Sequence, residues 1–184
     1  MPTWLIVILV VVVLIILWFI GVYNSLVQLR NKVRNQFSQI DVQLKRRFDL
    51  IPNLVETVKG YAKHESETFE KVVQARNTYA TASTDSEKIE AANQMTQAVR
   101  GLLALAESYP ELKANTNFLS LQADLKETEE KISYARQFYN DAVMVYNNAI
   151  AVIPNNIVAG ICGFKPEKLF EAEAEERKNV KVEF

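Results

Sequence analysis

The sequence predicts an all-α membrane protein, with a single transmembrane helix at the N-terminus followed by long helices. Three observations predict it. Trp4 to Ile20 form an unbroken apolar run, and the residues after it repeat apolar side chains at alternating three- and four-residue spacing. Only 5 Gly and 5 Pro occur in 184 residues, too few turn-formers for a many-turned β-sandwich or barrel. A chain of 21.0 kDa holds an anchor and one modest domain, with no room for a second catalytic domain.

Residues 1–23 form the anchor. The run WLIVILVVVVLIILWFI, extended by Gly21, Val22 and Tyr23, reaches about 30 Å as a helix, the hydrocarbon thickness of a bilayer. Its insertion free energy sums to roughly -6 kcal/mol with no polar residue to offset it. Trp4, Trp18 and Tyr23 stand near the ends, where amphipathic rings favour the headgroup layer. A cleaved signal peptide would need a basic leader, a shorter apolar core and a small-residue cleavage site, and the run has none of these. No Lys or Arg precedes the run, and Arg30, Lys32 and Arg34 follow it. The positive-inside rule then puts the N-terminus outside and the body in the bacterial cytoplasm.

Residues 24–153 form the helical body. The stripe Leu26, Arg30, Val33, Phe37, Ile40, Leu44, Arg47, Ile51, Leu54, Val58, Tyr61, Glu65, Thr68, Val72, Ala75, Tyr79 predicts one long helix, with Pro52 either kinking or restarting it. Thr84 followed by Glu87 is a capping-box signature that opens a second helix with the stripe Ala92, Met95, Val99, Leu102, Ala106, ending near Ser108. A third helix runs from about Pro110 to Val152, with Leu121, Leu125, Ile132, Ala135, Tyr139, Ala142, Tyr146, Ala149 and Ile153 on one face. Pro154 stops it. Residues 154–184 then read as an apolar, turn-rich segment and a charged tail, with a helix from Pro166 to about Arg177.

Charge singles out the candidate contact residues. The overall balance of -1 gives no electrostatic case for nucleic acid, yet residues 24–63 carry +5 and the remainder -6. Arg30, Lys32 and Arg34 lie close enough to the bilayer to engage anionic headgroups at about 1 kcal/mol each. Lys45, Arg46 and Arg47 lie about 33 Å beyond Tyr23 on an upright helix, several Debye lengths from the surface, and are the candidates for docking a partner protein. Their structural alternative is an Asp41–Lys45 pair, a solvated Arg46, and an Arg47 that snorkels or pairs with an acid on another helix. Val33, Phe37 and Ile40 form an apolar stripe just outside the membrane and are the candidates for self-association.

Reaction chemistry finds little footing. Glu67–Lys71, Glu127–Lys131 and Glu173–Arg177 occupy ordinary i,i+4 surface pairs. His64 lacks the second histidine of a zinc-protease helix, and Cys162 reads as a small buried hydrophobe. No phosphate-binding glycine loop, nucleophile elbow or calcium loop occurs, so no catalytic residue, metal or cofactor is expected. Tyr139-Asn140 and Tyr146-Asn147 recur seven residues apart, which on a helix stacks two core tyrosines with hydrogen-bonded tips.

The segments YNSLVQLR (23–30), IDVQLKRRFDLIPNLVETVKGYAKHE (40–65), FEKVVQAR (69–76) and NFLSLQADLKETEEKISYARQFYN (117–140) closely resemble the LemA family of bacterial membrane proteins. The resemblance covers nearly the whole chain. It implies a single-span anchor, an antiparallel up-and-down bundle in the cytoplasm, and no established enzyme activity. Family members are sometimes encoded near membrane proteases, and one branch is associated with magnetosome membranes. Phe37 stands where the family often has tryptophan, which keeps the stripe apolar. The combined expectation is a non-enzymatic scaffold or adaptor of the cytoplasmic membrane whose partners are membrane lipids, copies of itself and other membrane proteins such as proteases. The rival expectation is a membrane-bound sensor or enzyme with a small-molecule pocket between helices, near Tyr139 and Tyr146.

Overall fold

The computed structural model describes residues 2–170. The fold is all-α, an apolar N-terminal helix followed by an antiparallel up-and-down bundle of long helices, with no strand among the described residues. The elements are α1 (Thr3–Lys59), α2 (Ser66–Thr81), α3 (Asp85–Glu107), α4 (Pro110–Lys113), α5 (Thr116–Ala151) and α6 (Asn155–Cys162). The chain divides into two compact units, one from Met1–Ser38 with Gln137–Leu169, the other from Gln39–Arg136 with the segment from Phe170.

Proline does not interrupt the first helix. Pro52 lies inside α1, and its missing N–H deprives only the Phe48 carbonyl of a partner. The break falls instead at residues 60–65, so the stripe expected to run on to Tyr79 belongs to two helices, α1 and α2. Gly60 is the residue type that favours a helix interior least after proline, and Tyr61 and Ala62 turn back to bond the Val58 carbonyl at 3.0 and 2.9 Å. Ala62 then points into the core while Tyr61 does not.

The Thr84 cap forms as expected. The Glu87 amide donates to Thr84 Oγ1 at 3.2 Å, and the Glu87 carboxylate accepts from the Thr84 and Ser83 amides at 3.0 and 2.9 Å. These amide bonds, with the two hydroxyls behind them, hold the Glu87 carboxyl at about 2, well below the ordinary carboxylate range. The expected third helix is two: α4 spans one turn, and Asn115 opens α5 by accepting from the Asn117 and Phe118 amides.

In the second unit, Ile51, Leu54 and Val58 of α1 pack with Phe69 and Val72 of α2, Met95, Val99 and Leu102 of α3, and Leu125 of α5 in one apolar core. In the first unit, Leu26 of α1 packs with Val158 and Ala159 of α6, flanked by Phe19, Val22, Ala149, Ile150 and Phe164. Here α6 replaces the turn segment expected after Pro154, closing on Gly163, whose φ of 71° suits a residue with no Cβ. Residues 166–170 are not helical, and the rest of the expected tail helix, with the Glu173–Arg177 pair, lies outside the described residues.

The stripe read as a self-association surface is buried within one chain. Val33 and Phe37 are 3% and 6% exposed in the first unit, where the Phe37 ring meets the edge of Tyr139 at 5.8 Å, and Ile40 is 0% exposed in the second.

Candidate functional site

Helical spacing puts Arg47 on the same face as Leu44, Ile51, Leu54 and Val58, and the structure buries it with them at 1% exposure. A guanidinium cannot shed its charge, so it must be bonded where it lies. Arg47 Nη1 donates to Thr96 Oγ1 at 2.7 Å and to Glu129 Oε1 at 2.8 Å, and Nη2 donates to the Ala92 carbonyl at 2.8 Å. Ala92 and Thr96 are one turn apart on α3, and the Thr96 hydroxyl donates to the same Ala92 carbonyl at 3.1 Å. One side chain of α1 therefore ties α3 and α5 to it.

The three cations expected as one docking patch are thus divided among different tasks. Arg47 is interior. Arg46 lies between Asp124 and Glu127 of α5 at 3.5 and 3.4 Å, and Lys45 faces solvent against Asp49 at 3.1 Å. A hydrogen bond and charge from Lys131, with Arg46 behind them, lower the Glu127 carboxyl from its ordinary range. Asp41 does not pair with Lys45 as expected. It accepts from Lys88 Nζ of α3 at 3.0 Å and from the Tyr79 hydroxyl of α2 at 3.1 Å. Burial, and then the neighbouring Asp41 carboxylate, push the Tyr79 hydroxyl upward.

Two of the grooves on the second unit combine apolar and charged side chains. A groove of about 870 Å³ runs along the end of α1 and α2, lined by Lys59, Lys63, Phe69, Glu70, Val73 and Asn77 among others. A groove of about 500 Å³ lies between α3 and α5, with apolar Val99, Leu103 and Leu119 beside Thr96 and Glu129, the two side chains that hold Arg47. The second groove lies where no sequence signal pointed, because Thr96 and Glu129 are unremarkable until the fold aligns them. Among the described residues, no three His, Cys, Asp or Glu side chains converge as a metal site requires.

The tyrosine pair of the first unit serves its own chain. Tyr139 and Tyr146 donate their hydroxyls to the Lys168 and Lys165 carbonyls at 2.9 and 3.0 Å, and Asn147 both donates to and accepts from the Glu167 backbone at 2.9 Å. A small-molecule pocket expected there is occupied by residues 165–168. Arg30, the first of the membrane-side cations, lies over the Phe164 ring at 5.0 Å, and Lys32 and Arg34 are exposed. His64 is exposed in the turn between α1 and α2, and Cys162 is exposed rather than buried.

These features define a class. The chain is a single-pass membrane protein in which an N-terminal helix, with an apolar 18-residue stretch of mean hydropathy 3.6, continues into a helical bundle cross-tied by polar side chains. Residues 36–184 match the LemA family, and the chain belongs to that family. It is 26% identical to Protein LemA of Metamycoplasma hominis over 163 residues, covering 88% of this chain and 74% of that protein. It is 25% identical to Magnetosome protein MamQ 2 of Paramagnetospirillum magneticum over 175 residues, covering 81% of this chain. It is 23% identical to Magnetosome protein MamQ of Magnetospirillum gryphiswaldense over 174 residues, covering 80% of this chain. The chain spans 64% of the length of each of these two magnetosome proteins.

Proposed function

We propose that this protein is a non-enzymatic scaffold or adaptor of the bacterial cytoplasmic membrane, its body on the cytoplasmic side, that works by docking other membrane proteins. The observation that carries this reading is the use of its charges. Arg47, Arg46, Lys88, Asp41 and Glu129 are spent on tying helices together, as structural pairs are, which leaves the outer surface for recognition. On that surface, the long groove of α1 and α2 combines Lys59, Lys63 and Glu70 with apolar Phe69 and half-exposed Val73, the mixture that a protein interface uses. Arg30, Lys32 and Arg34 add attraction to anionic headgroups. A photoreactive residue at Val73 tests the docking reading in intact membranes. It should capture defined membrane proteins that the same residue at exposed Lys126 does not, and equal capture at both positions would refute it.

A second reading rests on the groove between α3 and α5. Its apolar walls, Val99, Leu103 and Leu119, would suit a small apolar molecule, whose binding would raise the melting temperature of the full chain in wild type and less in Leu103→Ser.

A further inference from the structure

We propose that α6 is a second membrane attachment, a short helix lying in the bilayer interface with its Ile157 and Ile161, and Ile153 of the turn before it, facing the acyl chains. The chain bends by 97° between α5 and α6. The inner side of α6, Val158 and Ala159, seats on Leu26 beside Phe19 and Val22. Phe19 belongs to the membrane-spanning run and Val22 to its final turn, so α6 sits at the level where that helix leaves the hydrocarbon. Its outer side is left bare. Ile157 is 56% and Ile161 71% exposed, an apolar pair one turn apart on α6, and Ile153 in the turn before the helix is 81% exposed. A soluble protein does not leave such a group to water.

The neighbouring chemistry identifies what covers it. From Ala142 to Phe164 the chain carries no Asp, Glu, Lys, Arg or His, and the exposed side chains within that stretch include apolar Met144, Val145 and Val152, with Asn148 and Asn156 as uncharged polar ones. A protein interface surrounds its apolar centre with a polar and charged rim, whereas a lipid-facing surface needs none. The inner side of α6 also packs beside the span itself, where Trp18 and Ile20, the neighbours of Phe19 in the chain, are exposed. Charge returns where headgroups would lie: Lys165 is exposed next to Phe164, and Arg30 stacks on the Phe164 ring, whose other neighbour is Tyr23 at 5.8 Å. The span and α6 together would hold the first unit to the membrane at two points.

The test uses the full chain with Cys162→Ser, carrying in turn Ile157→Cys, Ile161→Cys or, as a control about 21 Å along α5 from Ala151, Gln137→Cys. Each is labelled with an environment-sensitive fluorophore and reconstituted into vesicles of phosphatidylcholine and phosphatidylglycerol. Labels at 157 and 161 should emit blue-shifted light and be quenched by lipids doxylated near the glycerol end of the acyl chain, and the label at 137 should show neither effect. Water-like emission at 157 and 161 would overturn the proposal. Blue-shifted emission without lipid quenching would also overturn it, because a protein would then cover the face. Stronger quenching by lipids doxylated near the methyl end would overturn it in favour of a segment inserted deep into the bilayer. All three variants should keep the far-ultraviolet helical signal of the parent, since the replaced side chains are exposed.

Discussion

Removing the Arg47 side chain while leaving its acceptors in place should be among the most damaging single changes in the bundle. Arg47→Ala leaves a void in the face formed by Leu44, Ile51 and Leu54, and it leaves Glu129 without its cation. Breaking a buried ion pair from one side costs about 3–5 kcal/mol when the remaining charge stays buried. Glu129 keeps 35% of its side chain exposed, so water recovers part of its loss, and the Ala92 carbonyl retains its bond from Thr96. The cost for Arg47→Ala therefore falls near the low end, about 3 kcal/mol, or a fall in melting temperature of about 6–12 °C for a chain of this size. Glu129→Gln is the harsher test of charge, because the guanidinium stays buried and cannot deprotonate. Arg47→Leu should be tolerated better than Arg47→Ala, since it refills the apolar face, and Arg47→Glu should be worst, placing two carboxylates together. The paired change Arg47→Leu with Glu129→Leu should come within about 1 kcal/mol of wild type. Thermal and urea unfolding of the full chain in a mild detergent, followed by circular dichroism, reads all of these. If Arg47→Ala moved the transition by less than about 0.5 kcal/mol, the interior pairing would be unimportant and Arg47 would have to act at the surface.

Other consequences can be checked separately. Thr84→Ala should cost about 1 kcal/mol through loss of the α3 cap, with faster hydrogen exchange confined to the first turn of that helix. The depressed Glu87 carboxyl implies a cap contribution fully present above the ordinary carboxylate value and lost as pH falls through about 2, so the protection of the Thr84 amide, its exchange relative to an unstructured amide at the same pH, should fall over that interval and stay constant between neutral pH and 5. Asn147→Ala should expose the Glu167 amide to exchange, and Tyr146→Phe should loosen the same segment by about 1 kcal/mol, without moving the unfolding of the second unit's core. In a Cys162→Ser background, a cysteine at Thr3 should react with membrane-impermeant thiol reagents in intact cells and one at Ser25 should not, with the reverse pattern overturning the assigned orientation.

Much of the architecture was legible because it rests on short-range rules. The span needs only an apolar run, the start of α3 needs only Thr84 three residues before Glu87, and the apolar stripe of α3 needs only its own period. The break between α1 and α2 was harder to read because proline is the louder signal. Pro52 removes one hydrogen bond in a helix whose face is buried on both sides of it, and packing of Ile51, Leu54 and Val58 outweighs that loss. Gly60, followed by the polar stripe positions Glu65 and Thr68, was the quieter and correct mark of the boundary. Likewise, α6 was hidden in a segment whose Pro, Asn and Gly content reads as turn, although its Ile and Val spacing is helical.

The candidate site divides along the same line. A charge interrupting an apolar stripe is visible in one dimension, and Arg47 stood out for that reason. Its partners did not, because Thr96 and Glu129 lie 49 and 82 residues away and are brought to it only by tertiary packing. Reading Lys45, Arg46 and Arg47 as one patch treated three consecutive residues as neighbours, but on a helix each step turns about 100°. Three adjacent cations must therefore face three directions, here toward solvent, toward α5 and into the core. The uncharged stretch from Ala142 to Phe164 is the opposite case. It is as visible in sequence as the N-terminal run, but Asn147, Asn148, Asn155 and Asn156 interrupt it, and only the fold shows that Asn147 turns inward to the Glu167 backbone while Ile157 and Ile161 turn out. Side-chain direction, rather than composition, makes that segment a surface for lipid.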